Sequence, residues 1–326
     1  MYIKIKLLKN RIRPGQRRNE QSRNGSARKE FADARQADEN SFPYLALKCR
    51  DGTTNIERNK KMKIGFIGLG NMATAMIGGI LSKGLVGPEE IIGSSKTAVT
   101  SQKINEKFKI TTVTDNVWVA EQSDILFLAV KPVFFPEVIE EIRNRVKSDA
   151  LIVSIAAGRD LKYLKEAFDR PELKIIRCMP NTPALVMEGC TGVCAGEEVP
   201  REDVDKVLAL LRSFGTASVV PERLMDVVVG VSGSSPAYVF MFIEAMADAA
   251  VAAGMPRKQA YEFAAQSVMG SAKLMLETGK HPGELKDMVC SPGGTTIQAV
   301  KVLEEKGMRA AVIDAVEACI NKSKNI

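Results

Sequence analysis

Glycines near residue 68 have the spacing of a dinucleotide-binding turn. Ile64–Ile67 has the composition of a buried strand, and Gly68-Leu69-Gly70-Asn71-Met72-Ala73 follows it and opens a helix. Gly68 can adopt the dihedrals of a tight turn, and Gly70 lets the main chain come close to a pyrophosphate. The phosphates would then lie against free N–H groups at the positive end of that helix. A glycine-rich turn that binds nothing is the alternative, but the position directly after a buried-type strand favours the dinucleotide site.

The end of the second predicted strand bears on which dinucleotide fits. NAD sites commonly have Asp or Glu at that point to accept a hydrogen bond from the ribose 2′-hydroxyl. Here the chain reads Gly93-Ser94-Ser95-Lys96-Thr97, without a carboxylate. Because hydroxyls and one ammonium suit a 2′-phosphate, we expect NADPH, with NADH as a weaker alternative. A solvated turn after a strand would have the same composition.

A second group of hydroxyls and glycines lies near the C-terminus. Ser291-Pro292-Gly293-Gly294 joins two predicted helices, and the second helix opens at Thr295-Thr296. Main-chain N–H groups and three hydroxyls at a helix N-terminus can bind an anion without a charged side chain. A small carboxylate fits this description. Ordinary capping of the helix by Ser and Thr is the alternative interpretation.

Other side chains with reactive chemistry are few. The sequence holds six cysteines and one histidine, and Cys190 and Cys194 form a C-x3-C pair without a second pair nearby. We therefore expect no metal site, and we interpret the cysteines as buried thiols in a reducing, cytoplasmic compartment. His281 precedes Pro282-Gly283 in a predicted loop, so we expect it to be a surface or capping residue and not a catalytic acid.

The order of apolar runs predicts the fold class. Up to about residue 222, short apolar runs alternate with amphipathic segments, which is typical of a mainly parallel, doubly wound α/β sheet of the Rossmann type. The predicted strands are Ile64–Ile67, Glu90–Gly93, Lys109–Val113, Asp124–Val130, Ala150–Ala157, Lys174–Cys178 and Thr191–Ala195, with helices at Pro136–Val146, Leu161–Phe168 and Pro200–Phe214.

After about residue 222 only helices are predicted. They cover Met225–Val231, Pro236–Ala253, Pro256–Glu277, Gly283–Val289, Thr295–Glu305 and Met308–Asn321. The helix Pro236–Ala253 is apolar on nearly every face, so it must be surrounded by other protein. Glu244 and Asp248 interrupt it, which favours a buried helix over a membrane span. In a helical domain of this size we expect a homodimer or a multiple of dimers.

The basic charge of the chain is confined to its first 61 residues. They contain 16 Lys and Arg against 7 Asp and Glu, whereas the remainder contains 30 against 32. A nearly neutral body argues against a nucleic-acid groove. The first 61 residues are polar and lack an apolar period, and we expect them to be disordered. A targeting peptide and a nucleic-acid-binding arm are the alternatives, but the acidic residues and Met62 before the first strand favour a dispensable or artefactual extension.

Several motifs together resemble the pyrroline-5-carboxylate reductases, the enzymes of the last step of proline biosynthesis. The similarity runs from Met62 to about Lys322. The motif most specific to that family is the last of the following: Gly65–Met72, Leu128–Pro132, Ser154–Gly158, Arg177–Pro183, Val231–Tyr238 and Leu285–Ile297. The resemblance implies a Rossmann domain at 62–222, then a helical substrate and dimerisation domain at 223–326.

The resemblance also implies a set of site residues. NADPH would be bound by Ile67, Gly68, Leu69, Gly70, Asn71, Met72, Ser95, Thr97, Asn116, Ala129, Val130, Lys131, Pro132, Ala156, Ala157 and Gly158. The substrate carboxylate would lie on Ser291, Gly293, Gly294, Thr295 and Thr296, with Glu222 as a further candidate. Thr296 would reach the ring nitrogen, and it is the one catalytic candidate.

Two other functions are compatible with parts of the sequence. Another imine or β-hydroxy-acid reductase of the same plan would typically use a lysine in the long helix after the cofactor domain, and Pro236–Ala253 contains none. A cofactor-binding regulatory protein without turnover would have no use for the Ser291–Thr296 segment. We therefore expect an enzyme that positions a small imine against the nicotinamide.

Overall fold

The computed structural model describes residues 62–325, so the predictions about residues 1–61 lie outside the described part. Eight strands form one sheet in the order β3-β2-β1-β4-β5-β6-β7-β8. The strands β1 to β6 run parallel, β7 is antiparallel to β6, and β8 is parallel to β7. Their bounds are Ile64–Ile67, Ile91–Ser94, Thr111–Val113, Ile125–Leu128, Leu151–Ser154, Lys174–Met179, Gly189–Ala195 and Gly215–Val219, from β1 to β8.

Twelve α-helices lie in the described residues. Six of them alternate with the strands: α1 Asn71–Ser82, α2 Ala98–Phe108, α3 Asn116–Gln122, α4 Phe135–Ile142, α5 Leu161–Phe168 and α6 Arg201–Leu211. The other six follow the sheet: α7 Met225–Val228, α8 Ser235–Ala252, α9 Arg257–Thr278, α10 Pro282–Val289, α11 Thr295–Glu305 and α12 Met308–Ser323. A π-helical turn, Val229–Gly233, joins α7 to α8.

Successive side chains of the strands point to opposite faces of the sheet, and both sets are buried. Phe66 and Phe127 lie opposite each other in β1 and β4, and their rings stack with centroids 4.8 Å apart. They belong to a core shared with α1 and α6, whereas Ile67 and Leu128 belong to a second core shared with α4 and α5. Helices therefore cover both faces, as a parallel sheet requires. The predicted doubly wound fold is confirmed.

The predicted strands lie at the positions of observed strands, but their first and last residues differ. The predicted strand Asp124–Val130 ends at Leu128, because Ala129 and Val130 leave the sheet. Strand β8 was not predicted, since Gly215–Val219 is short and only Ala217 in it is buried. The reversal between β6 and β7 was also not predicted, because the intervening turn has no sequence signature that distinguishes it from a crossover.

The helices after residue 222 begin and end close to the predicted positions. Pro236 lies in the first turn of α8, and Gly279 ends α9 in the left-handed conformation, at φ 62°. Helix α12 packs on α7 and on the π-helical turn: Ser323 donates a hydrogen bond of 2.6 Å to Asp226 in α7, and Ile320 lies against Gly230 in the turn. Helices α8 and α9 pack against each other. These contacts connect the helical part to the sheet through residues 222–233.

The apolar helix α8 is not covered within one chain. Phe240 and Met241 are 64% and 70% exposed, and Phe263 on the neighbouring α9 is 61% exposed. The helical stretch Glu222–Ala252 is also the one span in the described residues that is long and apolar enough to cross a bilayer, judged by length and composition alone. Core helices of globular proteins meet the same criterion, and Asp226, Glu244 and Asp248 lie inside this stretch.

Adjacent glycines in α1 give a matched test of the packing. A Cβ at position 79 would lie 2.7 Å from Cβ of Phe214, whereas one at position 78 would meet only ordinary contacts, the nearest at 3.5 Å. We expect Gly79→Ala to lower the free energy of unfolding by about 1–3 kcal/mol through overpacking. Gly78→Ala should leave it unchanged or raise it by up to about 1 kcal/mol, because alanine favours helix. Urea unfolding of both variants measures this, and equal effects would contradict the close packing.

Candidate active site

A cleft opens at the carboxyl ends of β1, β2 and β4. It has a volume of about 460 Å³. Strand β1 lies between β2 and β4 in the sheet, so the chain connections diverge on either side of it, which is where open α/β sheets bind their ligands. The cleft is lined by Gly68, Leu69, Gly70, Ser94, Ser95, Lys96, Thr97, Thr100, Thr114, Asn116, Ala129, Val130, Lys131, Phe134, Glu137, Val138 and Glu141.

The glycine turn has the geometry that its sequence predicted. Gly68 has φ 96°, its N–H donates to the carbonyl of Ser94 at 2.9 Å, and a Cβ there would lie 2.6 Å from the carbonyl oxygen of Ala129. Position 68 therefore accepts glycine alone. A Cβ at Gly70 would meet no atom within 4 Å, although Gly70 lines the cleft. Helix α1 begins directly after Gly70 without a side-chain cap, so the turn fits a bound phosphate.

The polar residues after β2 are bonded mostly to one another. The buried Ser95 hydroxyl donates to the carbonyl of Thr97 at 3.0 Å and is 2.8 Å from the Ser101 hydroxyl. Thr97 caps α2, where its oxygen accepts from the Thr100 N–H. No carboxylate follows β2 before α2, so the cleft fits NADP(H), as the sequence predicted.

Asn116 is held in a fixed orientation on the far side of this turn. Its side-chain oxygen accepts from the Ser94 hydroxyl at 2.7 Å, and its amide nitrogen donates to Glu141 at 2.7 Å. Asn116 opens α3, whose cap is Asp115. These bonds connect the end of β2 to α3 and α4 at the floor of the cleft.

The structure brings nine of the sixteen predicted cofactor residues to the surface of this cleft. The other seven do not line it: Ile67 is fully buried at the end of β1, Asn71 and Met72 lie in the first turn of α1, Pro132 begins a 3₁₀ turn, and Ala156, Ala157 and Gly158 follow β5. Prediction missed Thr100, Thr114, Phe134, Glu137, Val138 and Glu141. Their contribution depends on how the turns after β2, β3 and β4 face one another, and no local motif encodes that.

The segment Ser291–Thr296 forms a turn before α11. Gly293 has φ 68°, and the N–H of Gly294 donates to the carbonyl of Ser291 at 3.0 Å. Gly294 is the N-cap of α11 and provides no side-chain cap. The donors that remain for an anion are therefore the N–H groups of the first turn of α11 and the nearby hydroxyls. None of the residues that line the cleft lies beyond residue 141, so within one chain this segment does not contribute to the lining of the cleft.

Glu222 lies at the junction between the sheet and the helical part. Its Oε1 atom accepts from the Leu161 N–H at 2.7 Å, at the start of α5, and is 3.5 Å from Nη1 of Arg177. The Arg177 side chain, in β6, is 4% exposed, and its Nε has no hydrogen-bond partner among the described residues. Burial, with a smaller contribution from Glu222, raises the pKa of the nearby Cys194 thiol to about 12. Glu222 thus provides a negative charge for the buried Arg177 guanidinium and an acceptor for the main-chain N–H at the start of α5.

His281 and the cysteines have structural surroundings. The Nδ1 atom of His281 accepts from the Gly283 N–H at 3.1 Å, so His281 caps α10 and the expected capping role is confirmed. The expectation of buried thiols is right for Cys178 and Cys194 but wrong for Cys190, which is exposed, and for Cys290 and Cys319, which are partly exposed. Within residues 62–325 no group of three or more His, Cys, Asp or Glu is arranged to hold a metal ion.

Comparison with known proteins identifies the family. The family model described as pyrroline-5-carboxylate reductase dimerisation matches residues 222–326, and the model described as NADP oxidoreductase coenzyme F420-dependent matches residues 63–158. The pyrroline-5-carboxylate reductase of Escherichia coli (strain K12) is 55% identical over 264 residues, which cover 81% of this chain and 98% of that protein. The chain belongs to the pyrroline-5-carboxylate reductase family.

More distant members of the family have the same architecture. The Methanosarcina acetivorans enzyme is 45% identical, over 82% of this chain and 98% of its own length. The solved structure of the Coxiella burnetii pyrroline-5-carboxylate reductase has a TM-score of 0.76 at 33% identity, covering 81% of this chain and 98% of that one. A Plasmodium falciparum pyrroline carboxylate reductase with NADP bound has a TM-score of 0.73 at 33% identity, covering 81% and 97%.

The Arg177–Glu222 contact provides a test by paired substitution. Glu222→Gln keeps an oxygen for the Leu161 N–H but removes the charge that faces Arg177. We expect the free energy of unfolding to fall by about 1–3 kcal/mol, because a buried cation loses its partner. Adding Arg177→Met should recover part of the loss, since the unpaired charge is then removed.

The matched control for this test is Asp205→Asn. It breaks the exposed Arg201–Asp205 pair, whose side chains are 79% and 55% exposed, and it should cost less than about 0.5 kcal/mol. Denaturant unfolding of the wild-type chain and of all three variants is the measurement. If the double variant is less stable than Glu222→Gln alone, Arg177 is not destabilised by the loss of this partner.

Proposed function

We propose that this chain catalyses the NADPH-dependent reduction of the cyclic imine 1-pyrroline-5-carboxylate to L-proline, the last step of proline biosynthesis. The observation that carries the proposal is the 55% identity to the Escherichia coli enzyme over 264 residues, which cover 98% of that enzyme. The two matching family models, over residues 63–158 and 222–326, include most of the cleft and the Ser291–Thr296 segment. Neither a β-hydroxy-acid reductase nor a regulatory protein without turnover is favoured by any observation. The reaction is an oxidoreduction at a carbon–nitrogen double bond.

The cofactor site in this proposal is the cleft at the glycine turn, within a dinucleotide-binding domain of residues 62–222. The N–H groups that follow Gly68 and Gly70 would bind the pyrophosphate, and Asn116 and Ala129 to Pro132 would line its course. Ala156 to Gly158 would lie at the nicotinamide end. When bound, NADPH supplies the hydride that reduces the imine carbon. NADH would be a poorer substitute, since no carboxylate follows β2.

The substrate site in this proposal lies at the N-terminus of α11, within a helical domain of residues 223–326. The substrate carboxylate would accept hydrogen bonds from the first-turn N–H groups and from the Ser291, Thr295 and Thr296 hydroxyls, with Gly293 and Gly294 shaping the turn. Glu222 would be a further contact with substrate. Its hydrogen bond to the Leu161 N–H involves Oε1, and its side chain is 37% exposed.

The reduction needs a protonated ring nitrogen but little further acid–base chemistry from the protein. His281 is occupied as a helix cap, so we propose that the substrate enters as its iminium and that Thr296 orients the nitrogen by hydrogen bonding. The protein would act mainly by positioning donor and acceptor and by binding the carboxylate. Lys131, exposed at the cleft, would add positive charge near the phosphates.

We further propose that the enzyme is a cytoplasmic homodimer or a multiple of dimers, and that it acts without nucleic acid or membrane. The uncovered apolar residues of α8 and α9 support a second copy as the covering surface, because isolated exposure of such side chains is unfavourable. The absence of the Ser291–Thr296 segment from the lining of the cleft within one chain supports interlocked subunits. In that arrangement one copy would bring its α11 to the cleft of the other.

Oxidation of NADPH on addition of pyrroline-5-carboxylate tests the proposed activity directly. Turnover with proline as product supports it. Tight NADPH binding without turnover would favour the regulatory alternative, and activity only on other imines or on β-hydroxy acids would favour the other reductases. The same assay with NADH measures the cofactor preference.

Thr296→Val removes the proposed hydrogen bond to the ring nitrogen with little change in shape. We expect kcat/KM for the imine to fall about tenfold or more, which corresponds to the loss of one hydrogen bond to a charged group. Thr296→Ser keeps the hydroxyl and should retain most of the activity. If Thr296→Val has unchanged kcat/KM, Thr296 has no part in the reaction.

The same variant tests the interlocked arrangement. A second variant, Gly70→Glu, would place a carboxylate in the cleft, where a side chain meets no protein atom within 4 Å. When both impaired chains are co-expressed with different tags, dimers that contain one of each should have higher kcat/KM than either variant alone, because one of their two sites combines intact parts of both chains. Mixed dimers without this gain would mean that each site is built within one chain.

A further inference from the structure

One buried amide side chain connects the carboxyl end of β6 to the start of the helical part. Asn181 lies two residues after the end of β6 and is 7% exposed. Its Oδ1 atom accepts from the Cys190 N–H at 2.8 Å, and its Nδ2 atom donates to the Ser232 carbonyl at 3.0 Å. Because one partner is a main-chain donor and the other a main-chain acceptor, they determine which way the amide points. Asn181 does not line the cleft, so the cofactor site does not account for it.

The hydrogen bond to Cys190 continues the pairing of β6 with β7. The two strands are antiparallel, and Met179 opposite Gly192 is the last pair of the ladder. The same register places Asn181 opposite Cys190, beyond that last pair. The side-chain oxygen of Asn181 therefore accepts an N–H that the main-chain ladder no longer pairs, and the side chain is fixed relative to the edge of the sheet.

The hydrogen bond to Ser232 supplies a donor that the helix cannot provide. In an α-helix the carbonyl of residue 232 accepts from the N–H of residue 236, which here is Pro236 and has no N–H. The next main-chain donor is Ala237, whose N–H donates to the Ser234 carbonyl at 3.1 Å. Asn181 pairs the Ser232 carbonyl instead. The π-helical turn is thereby bonded to the sheet by its main chain.

Asn181 lies at the end of the sheet where the proposed reaction takes place. Strands β5 and β6 are parallel, with Ser154 opposite Arg177. Gly158 follows Ser154 by the same number of residues as Asn181 follows Arg177, so the two turns leave adjacent strands at the carboxyl edge of the sheet. Gly158 belongs to the segment assigned above to the nicotinamide end. The bond to Ser232 thus holds the turn before α8 beside that end.

We propose that Asn181 is a positioning residue for hydride transfer. Through the Ser232 carbonyl it holds the π-helical turn and the first turn of α8 at the carboxyl edge of β6, next to the nicotinamide end of the cleft. The helical parts of the dimer carry the substrate segment, so this attachment sets how closely the imine and the hydride donor meet. The assignment rests on the proposed function and adds to it a residue outside both binding segments.

Single-turnover kinetics of Asn181→Asp test the positioning role. Aspartate keeps an oxygen for the Cys190 N–H but removes the donor to the Ser232 carbonyl. Enzyme preloaded with NADPH is mixed rapidly with pyrroline-5-carboxylate, and the absorbance of the reduced nicotinamide is followed through the first turnover. We expect the rate constant to fall about tenfold or more, with the Kd of NADPH within about twofold of the wild-type value.

The amplitude of the same trace separates positioning from stability. It counts the folded active sites, whereas the rate constant reports how each of them performs. If Asn181 only stabilised the fold, Asn181→Asp would lower the amplitude and leave the rate constant unchanged. That result would overturn the proposal.

Asn105 provides the matched control. Its Nδ2 atom donates to the Ile110 carbonyl at 2.7 Å, directly before β3, and neither residue lines the cleft. Asn105→Asp removes the same kind of hydrogen bond by the same substitution, and it should leave the single-turnover rate constant and the Kd of NADPH unchanged. Equal falls in the two variants would mean that the effect is general and that Asn181 has no specific role.

Asn181→Thr tests the same bonds without a buried charge. Residue 181 has φ −130° and ψ 167°, an extended conformation that suits threonine. The shorter side chain cannot span both partners, so the rate constant should fall about threefold or more, and thermal unfolding checks that the variant is folded. A folded Asn181→Thr enzyme with the wild-type rate constant would contradict the proposal.

Amide hydrogen exchange tests the attachment without turnover. Peptides that contain residues 229–240 should exchange about tenfold faster in Asn181→Asp than in the wild-type chain, and at the wild-type rate in Asn105→Asp. Unchanged exchange in Asn181→Asp would overturn the assignment. A wild-type chain that shows these differences but does not reduce pyrroline-5-carboxylate would contradict the proposed function and still support Asn181 as the link between the sheet and the helical part.

Discussion

The close approach of two strand ends at Gly68 is the constraint on which the cofactor cleft depends. The main chain at Gly68 donates to the carbonyl of Ser94, the Ala129 N–H donates to the carbonyl of Ile67 at 2.8 Å, and no space remains for a side chain between them. The ends of β1, β2 and β4 are thus joined directly at one point. Because these bonds fix where each turn begins, the cleft is a property of the sheet and needs no ligand to define it.

The helical part of the chain is subject to a different constraint. Its attachment to the sheet is local, through the polar contacts of Glu222 and the packing of Met225, Val228 and Val229 on the second core, whereas many apolar side chains of α8 and α9 are exposed. Within one chain the fold therefore completes the two cores on either side of the sheet and leaves apolar residues of α8 and α9 uncovered. This explains why α8 meets the compositional criterion for a membrane span even though the family model for this region describes dimerisation.

Sequence predicted those features that depend on neighbours in the chain. The strand, turn and helix at residues 64–82 follow from apolar period and glycine placement, and the helix ends follow from Pro236 and Gly279. It did not reveal that Ser95 is bonded internally or that Phe134 reaches the turn after β2, because both depend on residues brought together by the fold. The sequence interpretation also placed the Gly294 N–H among the donors for an anion, although this N–H donates to the carbonyl of Ser291.

The junction at residue 222 determines how the two parts can act together. One carboxylate oxygen of Glu222 contacts both a buried guanidinium and the first N–H of α5, so the start of the helical part is fixed to β6 and to the turn after β5. Breaking either contact leaves a buried polar group unpaired, which opposes independent movement of this junction. A few residues later the π-helical turn is clamped by α12, with Ile320 against Gly230. The start of the helical part is therefore held by an ion pair, a main-chain hydrogen bond and the packing of α12, so three independent contacts would have to break before this junction could move.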